Sequence, residues 1–247
     1  MKMTKLFIAA AMLAVSVTAS AQFTNTSRKG QAKTVSTKGW ETFYLQWNPS
    51  SFSIDLKNAD DQSFTGFSVG YSKAFGVSRT TPLFLEVGAA LQYSHYTEEG
   101  DVFMYFYDEE YGDVDYDIVD GEEKFNMFSV KVPVNLLYKF QIPNSSVSLL
   151  PFVGATLRCN ASAKKKVSVT DEDYELDGIE DTEYDLFDKD DMGSKSKWKR
   201  FQIGWQIGVN AHFGENFLVG LSYGSDFSEI CKKTKISTTS VTLGYRF

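Results

Sequence analysis

Hydrophobic and polar residues alternate along most of this chain with a period of two. That spacing puts successive side chains on opposite faces of a β-strand. In the clearest run, Leu83, Leu85, Val87, Ala89, Leu91 and Tyr93 interleave with Glu86, Gly88, Ala90, Gln92 and Ser94. Phe128, Val130, Val132, Val134, Leu136 and Tyr138 interleave with Ser129, Lys131, Pro133, Asn135 and Lys139. The stretches Phe67 to Tyr71, Ile203 to Phe213, Phe217 to Tyr223 and Val241 to Phe247 repeat the pattern. Two less regular runs, about 39–48 and 148–159, bring the count to eight strands.

The connections alternate too. Spans 49–62, 97–123, 160–197 and 225–236 are long and polar, whereas 76–81, 141–146 and 214–216 are short and carry Gly, Pro or Asn. This predicts an all-β fold: an eight-stranded antiparallel up-and-down transmembrane β-barrel with long extracellular loops and short periplasmic turns. A soluble eight-stranded barrel is the alternative, and it would pack its large apolar residues inside and solvate a charged outer face. Here the polar face is Gly, Ser, Thr and Asn with few charges, which suits a narrow interior and leaves Phe, Val, Leu and Tyr for lipid. Tyr71, Phe75, Tyr138, Phe140, Phe213, Phe217, Tyr245 and Phe247 gather at strand ends on the short-turn side, as an interfacial belt does.

The start of the chain has the order of an export signal. Lys2 and Lys5 precede an apolar run from Leu6 to Val17, and Ala19-Ser20-Ala21 supplies small residues before Gln22, the expected mature N-terminus. The run is shorter than the ~20 residues a membrane-spanning helix needs. The expected organisation is a signal peptide over 1–21, a periplasmic N-terminal extension over 22–38 and an outer-membrane barrel over 39–247.

The last eight residues, Ser240 to Phe247, resemble the terminal insertion signal of outer-membrane barrels, with Leu243, Tyr245 and Phe247 on one face. The runs Val130-Lys-Val-Pro-Val-Asn-Leu-Leu-Tyr-Lys-Phe140 and Pro151-Phe-Val-Gly-Ala155 resemble the small outer-membrane β-barrel family of Bacteroidota often labelled PorT-like. Phe152 replaces that family's usual Tyr, and Thr156 stands where a second Gly is common. The resemblance implies the barrel and its location, and it brings in a role as subunit or assembly factor of a secretion apparatus.

Charge is uneven. Residues 97–123 hold twelve of the chain's 32 acidic residues, and 171–191 hold another twelve. A nucleic-acid partner is therefore not expected, since phosphate binding needs a basic surface. Lys164, Lys165, Lys166, Lys197, Lys199 and Arg200 flank the second acidic run. They are candidate contacts for phosphates of lipopolysaccharide, or else counter-charges for the acidic loop. Glu86, Lys131, Lys139, Arg158 and Arg246 fall on the inner face, where buried charges need partners, and are expected to form ion pairs in the lumen.

The rest of the chemistry is thin. Cys159 and Cys231 are the only cysteines, too few for a disulfide scaffold. A lipid A deacylase would set a His and a Ser two residues apart on one face. Here Thr97 stands two after His95, and Ser94 points the other way. No nucleophile–base–orienter set is visible, so no catalytic site and no cofactor are expected. Asp173-Tyr-Glu-Leu-Asp-Gly178 begins like an EF-hand loop, but the closing position, 184, is Tyr. Asp113, Asp115 and Asp117 would share one face of a strand, and a solvated acidic loop accounts for them without a metal. Three functional classes follow: an interaction or structural barrel acting through its acidic loops, a secretion subunit, and a small porin-like channel. The expected partners are outer-membrane lipid and lipopolysaccharide, with an extracellular or secretion-apparatus protein beside them.

Overall fold

The computed structural model describes residues 38–54, 62–78, 81–107, 114–169 and 182–247, with side chains for all of these except 102–107, 114–119 and 193–196. The signal peptide, nearly all of the N-terminal extension, and the segments holding Asp113 and Asp173–Gly178 lie outside the described residues. The elements are β1 (Trp40–Trp47), β2 (Ser50–Ile54), β3 (Gln62–Gly76), β4 (Leu83–Tyr107), β5 (Val114–Tyr138), β6 (Phe140–Gln141), β7 (Val147–Val169), β8 (Thr182–Asp185), α1 (Lys189–Ser196), β9 (Phe201–Phe213), β10 (Phe217–Asp226) and β11 (Thr234–Arg246).

The sheet closes on itself. β1 pairs with β3 on one side and β11 on the other, so that Phe43 lies opposite both Tyr71 and Tyr245. The ring runs β1-β3-β4-β5-β7-β9-β10-β11, every pair antiparallel. β2 continues the line of β1, because Trp47↔Phe67 and Ser50↔Phe64 keep one register against β3. Pro49 has no N–H and interrupts the ladder there. The Asn48 amide still donates to the Gly66 carbonyl at 2.7 Å, and the Pro49 carbonyl accepts from the Thr239 amide at 2.9 Å. The result is an eight-stranded up-and-down barrel.

The three short turns all lie at one end, with both termini of the barrel. Asn144 and Gly214 adopt left-handed backbone there, φ 59° and 64°, the conformation such tight turns demand. At the opposite end the alternation in Val102–Tyr107 and Val114–Val119 predicts that the third and fourth strands run on as a hairpin, and they do; the long loop predicted over 160–197 is the one that shortens. β4 and β5 run on to Tyr107 and from Val114, and β7 continues to Val169, so much of 97–123 and 160–169 is strand. Beyond the apolar zone a strand needs no oily face, so stretches such as Thr97–Asp101 and Ala161–Val169 lose the alternation that reveals a strand.

Alternation sorts the side chains. Phe43, Leu45, Trp47, Phe67, Val69, Leu91, Val153, Leu157, Val219 and Leu243 are exposed on the outer wall. Ser68, Ser72, Glu86, Gln92, Ser94, Asn135, Arg158 and Thr242 are buried inside. One bulge adjusts the pattern: Phe128↔Ser162 and Ser129↔Asn160 leave Ala161 unmatched, turning both Asn160 and Ala163 inward.

The small inward residues are spacers for large ones. A Cβ on Gly70 would sit 2.4 Å from the Tyr44 ring, and one on Gly154 would sit 2.2 Å from Asn135 Oδ1. Gly70→Val should therefore destabilise the barrel by about 1–3 kcal/mol, the usual cost of overpacking. Tyr44→Ala in the same chain should recover part of that loss. Urea-dependent unfolding from lipid vesicles, read by gel mobility, measures both; equal stability of wild type and Gly70→Val would refute the packing account.

Candidate functional site

The lumen is layered along the barrel axis. The turn end is stopped by Trp40, Ala74, Phe84, Leu137, Leu150 and Phe152, all buried. The Trp40 ring lies 4.5 Å from that of Phe84. The opposite end is stopped by a second apolar cluster around Phe125, which meets the rings of Phe52, Phe64, Tyr96 and Trp198 at 5.2–5.9 Å. Between the stoppers the lumen is polar.

That middle layer is stitched from stave to stave. Gln206 donates to Asn135 Oδ1 at 2.6 Å, and Asn135 donates to Glu86 Oε1 at 3.0 Å. Ser72 donates to the other Glu86 oxygen at 3.3 Å. Ser240 and Asn48 link β11 to β1, Asn48 and Ser68 link β1 to β3, each at 2.7 Å. Ser129, Asn160 and Gln202 connect β5, β7 and β9 at 2.7 and 2.5 Å. Within this layer lies a cavity of about 50 Å³ lined by Thr42, Tyr44, Glu86, Lys131 and Asn210, among others. It has room for a few waters, and the unpartnered Thr42 Oγ1 is one group they would serve.

The five inner charges take different partners. Arg158 forms an ion pair with Asp226, both under 9 % exposed. The polar span 225–236 predicts a loop at Asp226; it is instead the last residue of β10, where Leu218, Gly220, Ser222 and Gly224 carry the inward face onto it. Lys131 stands directly opposite Arg158 on the neighbouring β5 and feels the charges of this pair. Glu86 is met by an amide and a hydroxyl, not by a cation. Lys139 and Arg246 turn to an aromatic ring, their charged groups 5.8 and 5.0 Å from the centre of Trp40. Sequence reasoning missed Trp40, since one aromatic at a strand start gives no sign of its neighbours.

A folded segment covers the loop end. β8 pairs with β7, Lys164 opposite Asp185, and then Leu186 and Phe187 drop into the Phe125 cluster. Asp188 caps α1, its carboxylate accepting from the Asp190 amide at 2.9 Å. The chain returns at Trp198, whose amide donates to the Leu186 carbonyl at 2.8 Å. Arg200 fastens this lid: its guanidinium donates to the carbonyl of the bulged Ala161 at 2.7 Å and lies 4.2 Å over the Phe187 ring.

The other candidate lipopolysaccharide contacts divide. Lys164 is paired with Glu183, and Lys165 with Glu123 at 2.5 Å. Glu183 holds the Lys164 ammonium above its usual range. Lys166 stands opposite Lys124 on β5. Lys197 and Lys199 are exposed. His95 faces outward with its ring stacked on Tyr93 at 5.7 Å, while Ser94 faces the lumen and accepts from Gln92 at 2.9 Å. Cys159 and Cys231 are both free thiols. Among the described residues, no three His, Cys, Asp or Glu side chains cluster closely enough to hold a metal ion.

A family model described as an outer membrane protein beta-barrel domain matches residues 7–247. No curated protein matches the chain in sequence. Similar solved structures include Ail of Yersinia pestis, crystallised with the heparin analogue sucrose octasulfate. It is 18 % identical over 85 % of this chain and 99 % of its own, with a TM-score of 0.42. Neisserial surface protein A is 16 % identical over 84 % and 97 %, TM-score 0.41. The outer membrane enzyme PagL is 11 % identical over 81 % and 97 %, TM-score 0.42.

The Arg158–Asp226 pair yields an asymmetric prediction. Asp226→Leu strands two cations, Arg158 and Lys131, whereas Arg158→Met leaves Asp226 with Lys131 nearby. Breaking a buried pair costs about 3–5 kcal/mol. Asp226→Leu should therefore reach that range, Arg158→Met should cost less, and the double variant should return close to wild type, all by urea unfolding. Equal losses in the two single variants would refute Lys131's part.

Proposed function

The chain belongs to the outer membrane protein beta-barrel domain family, and on that footing we propose that it is a non-enzymatic interaction barrel displaying an acidic sheet to a cationic partner outside the cell. The observation that carries this reading is the β4–β5 hairpin. It sets Glu98 opposite Glu123, Glu99 opposite Glu122 and Asp101 opposite Asp120. Like charges directly opposite in a sheet are destabilising, by roughly the 0.2–1 kcal/mol scale of cross-strand pairs. β7 offsets part of this through Lys165 on Glu123, and Lys124 sits on Glu122. Asp101 and Asp120 stay exposed, as does Glu99. A protein that keeps such a ladder in water has an uncompensated negative surface, which favours a basic partner.

The same reading includes export by residues 1–21, a periplasmic extension over 22–38, and Leu243, Tyr245 and Phe247 as the insertion signal. It sets the short turns in the periplasm and the lid outside. The exposed Lys197 and Lys199 then fall at the level of the lipopolysaccharide headgroups, where phosphates attract them.

A second reading, a PorT-like secretion subunit of a Bacteroidota species, is favoured by the runs Val130–Phe140 and Pro151–Ala155. Loss of secreted cargo from a deletion strain is its test. A channel role finds less support, because apolar clusters stop both ends of the lumen and the cavity between them is about 50 Å³.

Orientation and function have separate measurements. A Glu-specific protease added to intact cells should cut within 98–123; cutting only after permeabilisation would invert the topology. Deleting 101–120 should abolish salt-sensitive capture of a cross-linked surface partner while leaving the heat-modifiable barrel in the membrane. Undiminished capture would exclude the hairpin as the contact.

A further inference from the structure

We propose that the turn end of the barrel holds a binding site for a single oxyanion, a phosphate or carboxylate group, assembled around Trp40. The argument starts from an imbalance of donors. Arg246 and Lys139 approach one indole ring from 5.0 and 5.8 Å. Arg246 Nη1 also lies 3.4 Å from His212 Nδ1. A guanidinium has no acceptor, so Nδ1 accepts and the imidazole proton sits on Nε2. That Nε2–H is buried without a partner, and so is the Trp40 indole N–H. Trp40 and His212 are 4 % and 1 % exposed, their rings edge to face at 5.4 Å.

Two cations and the buried indole N–H thus share this end with no acceptor of opposite charge among them, while the Nε2–H leaves the imidazole on the edge away from Arg246. Neither Lys139 nor Arg246 lies in an ion pair among the described residues. The nearby acids are engaged elsewhere or form no ion pair with either cation. Glu41 pairs with Lys73 at 2.7 Å, and Glu86 is held by Asn135 and Ser72. Glu215, in the β9–β10 turn, influences Arg246 electrostatically without contacting it. A cation over a ring is attracted to its face but gains no hydrogen bond from it. An oxyanion supplies both the charge and the acceptors that are missing. Lys139 and Arg246 are only half-buried, so the site opens on the turn side, while Phe84 and Leu137 close it behind. The closed back limits the guest to one anionic group on a free ion or at the tip of a larger molecule. With the orientation proposed above, that guest comes from the periplasm or from the inner-leaflet headgroups.

The test is an NMR titration of the full chain with inorganic phosphate, following the Trp40 indole N–H, in nonionic micelles and in phosphatidylglycerol nanodiscs. It does not depend on which way the barrel faces in the cell. A saturable shift is expected in micelles. The same shift in nanodiscs would assign the site to a soluble anion. An indole already at its shifted position in nanodiscs, insensitive to added phosphate, would assign it to the lipid headgroup. Lys139→Met and Arg246→Met should each weaken phosphate by about tenfold or more, the loss of one charge-assisted hydrogen bond. Lys73→Met, on the outer wall, should leave the titration unchanged. Heat-modifiable gel mobility shows which variants fold, and Lys139→Met carries the test if Arg246→Met does not. An unsaturable or absent shift in micelles, or wild-type titration in a folded Lys139→Met, would overturn the proposal.

Discussion

Hydrocarbon offers no hydrogen bonds, so a sheet that crosses it must leave no edge. The rest of this structure follows from that closure. β1 meets both β3 and β11, and Glu41 and the C-terminal Phe247 exchange backbone hydrogen bonds at 3.0 and 3.3 Å where the ring joins. Pro49 lacks an N–H at a stave break, as Pro133 and Pro151 do inside β5 and β7, and at Pro49 neighbouring amides carry the ladder past it. Once the ring is closed with eight staves, its bore is fixed, and every inward side chain must fit it.

The bore is filled in three layers with different physics. Aromatic and aliphatic groups stop each end, and between them amides and hydroxyls pass hydrogen bonds around the circumference. Charge in the middle has company: Arg158 pairs with Asp226 beside Lys131, and Glu86 is held by Asn135 and Ser72. This arrangement resists collapse and leakage together. Glycine makes it feasible, because Gly70 and Gly154 yield the volume that Tyr44 and Asn135 occupy.

The wall was legible in the chain because lipid on one side and a crowded bore on the other enforce strict alternation. Leu83–Ser94 shows this directly. The signal fades where either constraint lapses. Residues 97–101 and 120–123 join the wall to the alternating Val102–Tyr107 and Val114–Val119, and there Glu98 and Glu99 sit side by side, so composition alone suggests a loop. Asp226 was hidden for a related reason: a charge after a run of small residues resembles the start of a loop until its partner across the bore is known. The lid was illegible altogether, since Leu186 and Phe187 form an apolar pair inside an acidic run and have no periodicity to declare them.

The acidic ladder of β4 and β5 also bears on how many copies can share a surface. A long strand at the margin of a sheet is a template for a matching strand from a neighbouring molecule. Glu98, Glu99 and Asp101 line that margin, and an identical neighbour would bring the same three carboxylates. The repulsion penalises strand exchange between copies while leaving a basic strand free to approach. The hairpin's charge thus works against pairing with its own kind.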